Sequence, residues 1–141
     1  MGKRRKSREF ALQVLYHWDI TGQDASRTLV QFEDHFSPSP GIDEFAERVV
    51  LGVLEHREEI DRLIERYSEN WRLDRMTPID RNLLRMATFE FLYCDEIPPK
   101  VTLNEAIDLG KRFGSEESGS FINGILDQIQ KEMVRKSVSS N

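Results

Sequence analysis

Phe121-Ile122-Asn123-Gly124-Ile125-Leu126 admits two readings, and the choice between them decides the fold. Two apolar pairs flank Asn-Gly, the dipeptide that most strongly marks a two-residue β-hairpin turn. A hairpin needs apolar and polar residues to alternate on each side, and here they do not. The apolar positions continue instead at Ile125, Leu126, Ile129 and Met133, with the period of about 3.6 residues that belongs to a helix. The spacing therefore predicts a helix with Asn123 and Gly124 in its interior. Glycine at such a position costs about 1 kcal/mol relative to alanine, so a close approach by another helix or by a ligand is expected to compensate.

Moving outward from that stretch, helical spacing persists nearly everywhere. Thr102-Leu103-Asn104-Glu105 reads as a capping box, in which the Thr hydroxyl and the Glu carboxylate satisfy each other's backbone N–H groups. Its helix reaches about Phe113 and stops at Gly114. Thr77-Pro78-Ile79-Asp80 is another helix start, with a capping Thr, a Pro at the first helical position and an acid near the positive end of the helix dipole. That helix carries Leu83, Leu84, Met86, Ala87, Phe91 and Leu92 and ends before Pro98-Pro99. Phe45, Val49, Val50, Val53 and Leu54, then Ile60, Leu63, Ile64 and Tyr67, make a long helical pattern that His56-Arg57-Glu58-Glu59 kinks or divides. Near the start, Phe10, Ala11, Val14, Leu15 and Trp18 form one stripe over about 8–20, with Ser7 as N-cap and Gly22 beyond the end. Leu29, Phe32 and Phe36 support a helix near 25–36, closed by Ser37-Pro38-Ser39-Pro40-Gly41. The chain is expected to be all-α, with about seven helices.

With 141 residues, 38% hydrophobic and 32% charged, there is material for one ordinary domain with a real core. The single cysteine, Cys94, rules out an intramolecular disulfide and a cysteine-based zinc site, and it suits a reducing cytoplasm. The basic N-terminus is followed by an amphipathic segment, so neither a signal peptide nor a membrane span is expected. The net charge of −5 is unevenly spread. Lys3, Arg4, Arg5, Lys6 and Arg8 give residues 1–8 a charge of +5, while residues 9–141 carry about −10. A basic arm, 1–8, on an acidic domain, 9–141, can grip phosphate while the body repels duplex non-specifically. A solubilising tail is the alternative.

No catalytic constellation emerges. His17, His35 and His56 lie in separate segments without a cysteine or paired carboxylates at ligand spacing, which argues against a metal. There is no phosphate-cradling glycine loop and no nucleophile elbow, so neither a cofactor nor enzymatic activity is expected. Glu58-Glu59 and Glu116-Glu117 are adjacent pairs, which do not share a helix face. Trp18 belongs to the core stripe, whereas Trp71 is available to stack on bases. Tyr16 falls off the stripe, in line with Arg8 and Leu12, which suits either a partner contact or the wet edge of a core. Arg85 stands among Leu83, Leu84, Met86 and Ala87, where it either serves a ligand or makes a buried ion pair with an acid such as Glu90 or Glu105.

Four segments, taken in order, resemble the bacterial transcription antitermination factor NusB family. They are Arg8-Glu9-Phe10-Ala11-Leu12-Gln13-Val14-Leu15-Tyr16, Asp80-Arg81-Asn82-Leu83-Leu84-Arg85-Met86-Ala87, the run from Ile97 through Val101-Thr102-Leu103-Asn104-Glu105-Ala106-Ile107-Asp108-Leu109 to Lys111, and Ser118-Gly119-Ser120-Phe121-Ile122-Asn123-Gly124-Ile125-Leu126-Asp127. The resemblance spans about 8–133. It implies two small helical bundles packed together, and binding of single-stranded boxA RNA jointly with NusE, a small-subunit ribosomal protein. The setting it implies is an antitermination complex with RNA polymerase on ribosomal RNA operons. By position, Lys3, Arg4, Arg5, Lys6 and Arg8 carry over the RNA-binding role, with Tyr67, Arg85 and Phe121 beside them. Tyr16, Asp80 and Arg81 correspond to the surface that meets NusE. Gly119 and Ser120 stand where a His and a Lys occur in other members.

Two further classes of function compete with that one. A similar helical domain precedes the catalytic part of some ribosomal RNA cytosine methyltransferases. The cofactor-binding sheet and cysteine nucleophile of such an enzyme do not fit in 141 residues, and Met1 with the polar Ser137–Asn141 tail suggests natural ends. A helical protein-binding scaffold leaves the basic arm without a role. An apolar-aromatic partner face is also a surface for self-association, so the residues leave monomer and homodimer both open.

Overall fold

Asn123 and Gly124 do lie inside a helix. The computed structural model describes the backbone of residues 2–36, 42–69 and 72–139 and the side chains of residues 4–31, 44–69 and 72–133. Among these are seven α-helices: α1 (Gly2–Thr21), α2 (Ala25–Phe36), α3 (Ile42–Glu55), α4 (Arg57–Tyr67), α5 (Pro78–Tyr93), α6 (Pro99–Phe113) and α7 (Ser118–Ser139). A short 3-10 turn at Leu73–Arg75 precedes α5, and no strand occurs among the described residues. The expected compensation at Gly124 by a neighbouring helix is absent, because a Cβ placed there would meet nothing within 4 Å.

Most boundaries follow from local chemistry. Gly22 ends α1 at φ 74°, a left-handed conformation that favours glycine, and its N–H donates to the Trp18 carbonyl at 2.8 Å. His56, at φ −106° and ψ 23°, separates α3 from α4. Thr77 caps α5 by accepting the Asp80 N–H at 3.2 Å. Two expected starts are corrected. Helix α6 begins at Pro99, one turn before the expected capping box, with Pro98 as an N-cap that offers no side-chain hydrogen bond. Thr102 is therefore inside the helix, and its hydroxyl donates to Glu90 Oε1 at 2.8 Å instead. Helix α1 begins at Gly2, so Ser7 is a buried mid-helix residue and not a cap. The boundary expected at Arg8 interrupts nothing: the basic segment is the first two turns of α1. Trp71 and the Ser37–Gly41 segment lie outside the described residues.

Helices α1, α2 and α3 pack as one small bundle and α4 to α7 as a second, with α5 lying against both α1 and α3. One continuous core joins them. Leu15, Val49 and Val50 from the first bundle and Leu83, Leu84, Leu109, Ile122, Leu126 and Ile129 from the second are fully buried. Each such aliphatic side chain contributes about 1.5–3 kcal/mol of transfer free energy. At the contact between α3 and α5, a Cβ on Gly52 would fall on the Phe89 ring, so only glycine allows that approach. No described helix is long and apolar enough to cross a membrane.

Candidate nucleic-acid and partner interface

The basic turns of α1 lie beside α6, and their charges have different fates. Arg8 is buried, 3% exposed, and its guanidinium grips Glu90 with two bonds, Nε to Oε2 at 2.8 Å and Nη2 to Oε1 at 2.6 Å. Nη1 reaches Glu105 Oε1 at 3.3 Å. Burial works against the Arg8 charge, but the hydrogen bonds and charge of Glu90 outweigh it and raise its pKa. Arg8 is thus a buried residue with an internal counter-ion, unlike the exposed cations expected to meet RNA. Leu12 is buried with it, so the expected line Arg8–Leu12–Tyr16 is not a surface line. Arg8 sits three and seven residues before Ala11 and Leu15, so the core stripe continued backward would have located it. Its charge hid it.

Arg5 is part-exposed. Its Nε donates to Glu105 Oε1 at 3.2 Å, and its Nη2 meets both Glu105 Oε2 and Asp108 Oδ2, the latter at 3.0 Å. The Arg5 hydrogen bond, acting against burial, holds the Glu105 carboxyl below the usual carboxylate range. Glu105 is therefore a counter-ion, and the helix-cap role expected for it is corrected. Arg4 lies over the Phe45 ring, 5.2 Å from its centroid, and comes within 3.9 Å of Glu96. Lys6 is exposed, and no ion pair among the described residues reaches it. The Lys3 side chain lies outside the described residues.

A second ionic knot ties α1, α4 and α5. Arg81 holds Asp19 with two bonds of 2.5 and 2.9 Å and donates to the carbonyls of Leu73 and Met76. Asn82 adds a bond to Asp19 Oδ2 at 2.8 Å. Arg85, 4% exposed, binds Asp61 through Nε at 2.9 Å and Nη2 at 3.3 Å, and comes within 3.4 Å of Asp19. Burial disfavours the Asp19 carboxylate, yet these donors prevail and its pKa falls below the usual value. The Arg57 and Arg85 guanidinium carbons lie 5.0 and 5.5 Å from the Trp18 ring centroid. Arg85 does make the buried ion pair, but with Asp61 and Asp19, while Glu90 and Glu105 serve Arg8. Those bonds engage the Arg85 guanidinium within the protein. Sequence spacing pointed to neither Asp19 nor Asp61, because partners 24 and 66 residues away leave no periodic trace.

Tyr16, 39% exposed, lines an open groove of about 450 Å³ with Glu9, Leu12, Gln13, His17, Ile79 and Phe113. The lining is mostly apolar, between the middle of α1 and the ends of α5 and α6. The first turn of α5 is not exposed as expected: Asp80 is 8% exposed, and the Arg81 side chain 15%. Asp80 Oδ1 is buried with no hydrogen-bond partner among the described residues. Tyr67 is half-buried and donates its hydroxyl to Glu132, which also takes Arg66. Phe121 is half-buried at the edge of the core. Lys6 and Tyr16 are brought onto one helix, whereas Arg8, Arg81 and Arg85 are drawn into the framework. Among the described residues no group of three or more His, Cys, Asp or Glu side chains could hold a metal ion.

Fold and surface define a class: an all-helical protein of two joined bundles, with cations at one end of its first helix and an apolar groove farther along it. The NusB family profile matches residues 5–131. A transcription antitermination protein NusB of Desulfatibacillum aliphaticivorans is 50% identical over 129 residues, 92% of this chain and 90% of that protein. The solved structure of T. maritima NusB superposes with a TM-score of 0.85 at 42% identity, covering 92% of this chain and 91% of that one. A crystal structure of antitermination factors NusB and NusE in complex with double-stranded RNA matches with a TM-score of 0.86 at 29% identity, covering 94% and 98%. The chain belongs to the NusB family.

Proposed function

We propose that this chain is a non-enzymatic adaptor for transcription antitermination that binds single-stranded boxA RNA jointly with NusE, in complexes with RNA polymerase on ribosomal RNA operons. The observation that carries the reading is the layout of α1 in a chain of this family. Residues 4–6 and Tyr16 are about ten positions apart, or roughly 15 Å along a helix, so an RNA strand and a protein partner can be held side by side. A relative of the same fold is solved with NusE and RNA together. Lys3, Arg4, Arg5 and Lys6 supply the electrostatic grip. Phe121 and Tyr67 supply aromatic surface, since single-stranded RNA is read mainly by stacking unpaired bases on such side chains. Tyr16, with Leu12, Ile79 and Phe113, is the protein-partner face. Asp80 stands behind that face, next to Ile79 in the first turn of α5 with its Oδ1 buried, and Arg81 holds α1 against α5 through Asp19 and so keeps the groove in shape.

The test is RNA binding with and without NusE, using single-stranded boxA, a scrambled strand and a boxA duplex. With Arg8 internal, four cations remain, and four phosphate contacts on a single strand give a log–log salt slope of about −2.8, against −3.5 for five. Phe121→Ala is expected to weaken boxA binding by about 1–3 kcal/mol. Tyr16→Ala is expected to weaken NusE binding and leave RNA binding by the isolated protein intact. Equal affinity for boxA and scrambled RNA in the presence of NusE overturns the reading, as does wild-type NusE binding by Tyr16→Ala.

A further inference from the structure

The cations at the start of α1 are not uniformly free, and the difference between them has a functional consequence. We propose that Asp108 of α6 sets how tightly the basic turn of α1 holds RNA: with Glu105 it occupies the Arg5 guanidinium in the free protein, and an RNA phosphate displaces it. The proposal rests on the reading that this turn meets RNA.

The guanidinium presents a planar fork of donors that fits a carboxylate and a phosphate in the same bidentate manner. Arg5 already fills that fork from inside the molecule, with Nε and Nη2 on Glu105 and Nη2 also on Asp108. The two acids are not equivalent. The Glu105 side chain is 16% exposed and also faces buried Arg8, so it belongs to the framework. The Asp108 side chain is 53% exposed, and Arg5 is its sole ion-pair partner among the described residues. Arg5 itself is 31% exposed, accessible to an incoming strand in a way that Arg8, at 4%, is not. A phosphate approaching Arg5 therefore meets the negative charge of Asp108 first and competes with it for the same Nη2. Arg4 shows a weaker form of the same arrangement, 3.9 Å from Glu96, which Arg48 holds. The protein's own acids stand where phosphates would stand, so a strand must contribute more than charge to replace them. That selects RNA with additional contacts over polyanions at large.

The experiment is a double-mutant cycle on the full chain: wild type, Asp108→Asn, Arg5→Gln and the pair, each titrated with a single-stranded boxA oligoribonucleotide and a scrambled one. Asp108→Asn keeps the side-chain shape and leaves the contacts among Arg8, Glu90 and Glu105 untouched. It is expected to tighten binding of both strands by about two- to five-fold, the worth of one exposed ion pair, and proportionally more for the scrambled strand. In the Arg5→Gln background the gain is expected to disappear. An unchanged or weaker affinity for Asp108→Asn overturns the proposal, because the acid would then be idle or would orient Arg5 for RNA. An equal gain with and without Arg5 also overturns it, reducing Asp108 to a background charge. Lys6→Gln separates the two levels. If it weakens RNA binding while the cycle shows no coupling, the displacement alone fails. If neither Lys6→Gln nor Arg5→Gln affects RNA binding, the assignment of the basic turn to RNA fails and takes the proposal with it.

Discussion

Replacing Arg8 with alanine separates a framework role from an RNA contact. The Arg8 and Glu90 side chains are 4% and 2% exposed, and two short bonds join them. Without the guanidinium, Glu90 keeps one donor, the Thr102 hydroxyl, for a carboxylate that water does not reach. Removing one partner of a buried pair costs about 3–5 kcal/mol, because the remaining charge stays desolvated and unpaired. Against a total stability of about 5–15 kcal/mol for a domain, that is a large part of the whole. At a few degrees per kcal/mol for this chain length, the melting temperature is expected to fall by roughly 10–20 °C. Urea denaturation followed by far-ultraviolet circular dichroism measures the loss directly. Replacing the whole pair by apolar residues of similar size, Arg8→Met with Glu90→Leu, is expected to recover much of it, since no buried charge is left over. The reasoning is refuted if Arg8→Ala loses less than about 1 kcal/mol, the range of an exposed pair, while RNA affinity falls tenfold.

Three further expectations follow from particular residues. Gly124→Ala is expected to stabilise the protein by about 0.5–1 kcal/mol, because a Cβ there meets open space and the glycine interrupts a helix interior; denaturant midpoints measure this, and a loss of stability contradicts it. The Asp19 and Glu105 carboxyls have folded pKa values below their usual 3.8 and 4.5. Their contribution is therefore complete above the unfolded values and lost as pH falls through the folded ones. Stability is expected to decline from about pH 4.5 downward, and Asp19→Asn is expected to lower it at neutral pH while flattening that decline. Burial pushes the Cys94 thiol up to about 11, so thiol reagents at neutral pH are expected to modify it slowly in the folded protein and quickly in urea. Rapid native labelling would mean that the end of α5 opens.

The sequence alone determined the helices, because a helix is built from contacts three and four residues apart, and apolar periodicity records them directly. It settled Asn123-Gly124 as helix interior, placed a kink or a division near His56 that the structure shows to be the break between α3 and α4, and started α5 at Thr77-Pro78. Local reading went wrong where two explanations were both local. Thr102 and Glu105 stand at capping-box spacing, yet the helix had already begun at Pro99. Their real partners, Glu90, Arg8 and Arg5, come from α5 and α1. The tertiary structure decided what each charge does. Arg5, Arg8, Arg81 and Arg85 look alike along the chain, and only the packing of α1 against α5 and α6 makes Arg8 and Arg85 internal, Arg81 a tie to Asp19, and Arg5 a cation shared between its own acids and the outside. The physical reason is range: a buried guanidinium needs a carboxylate within about 3 Å in space, and the chain is free to supply that carboxylate from 24, 82 or 100 residues away.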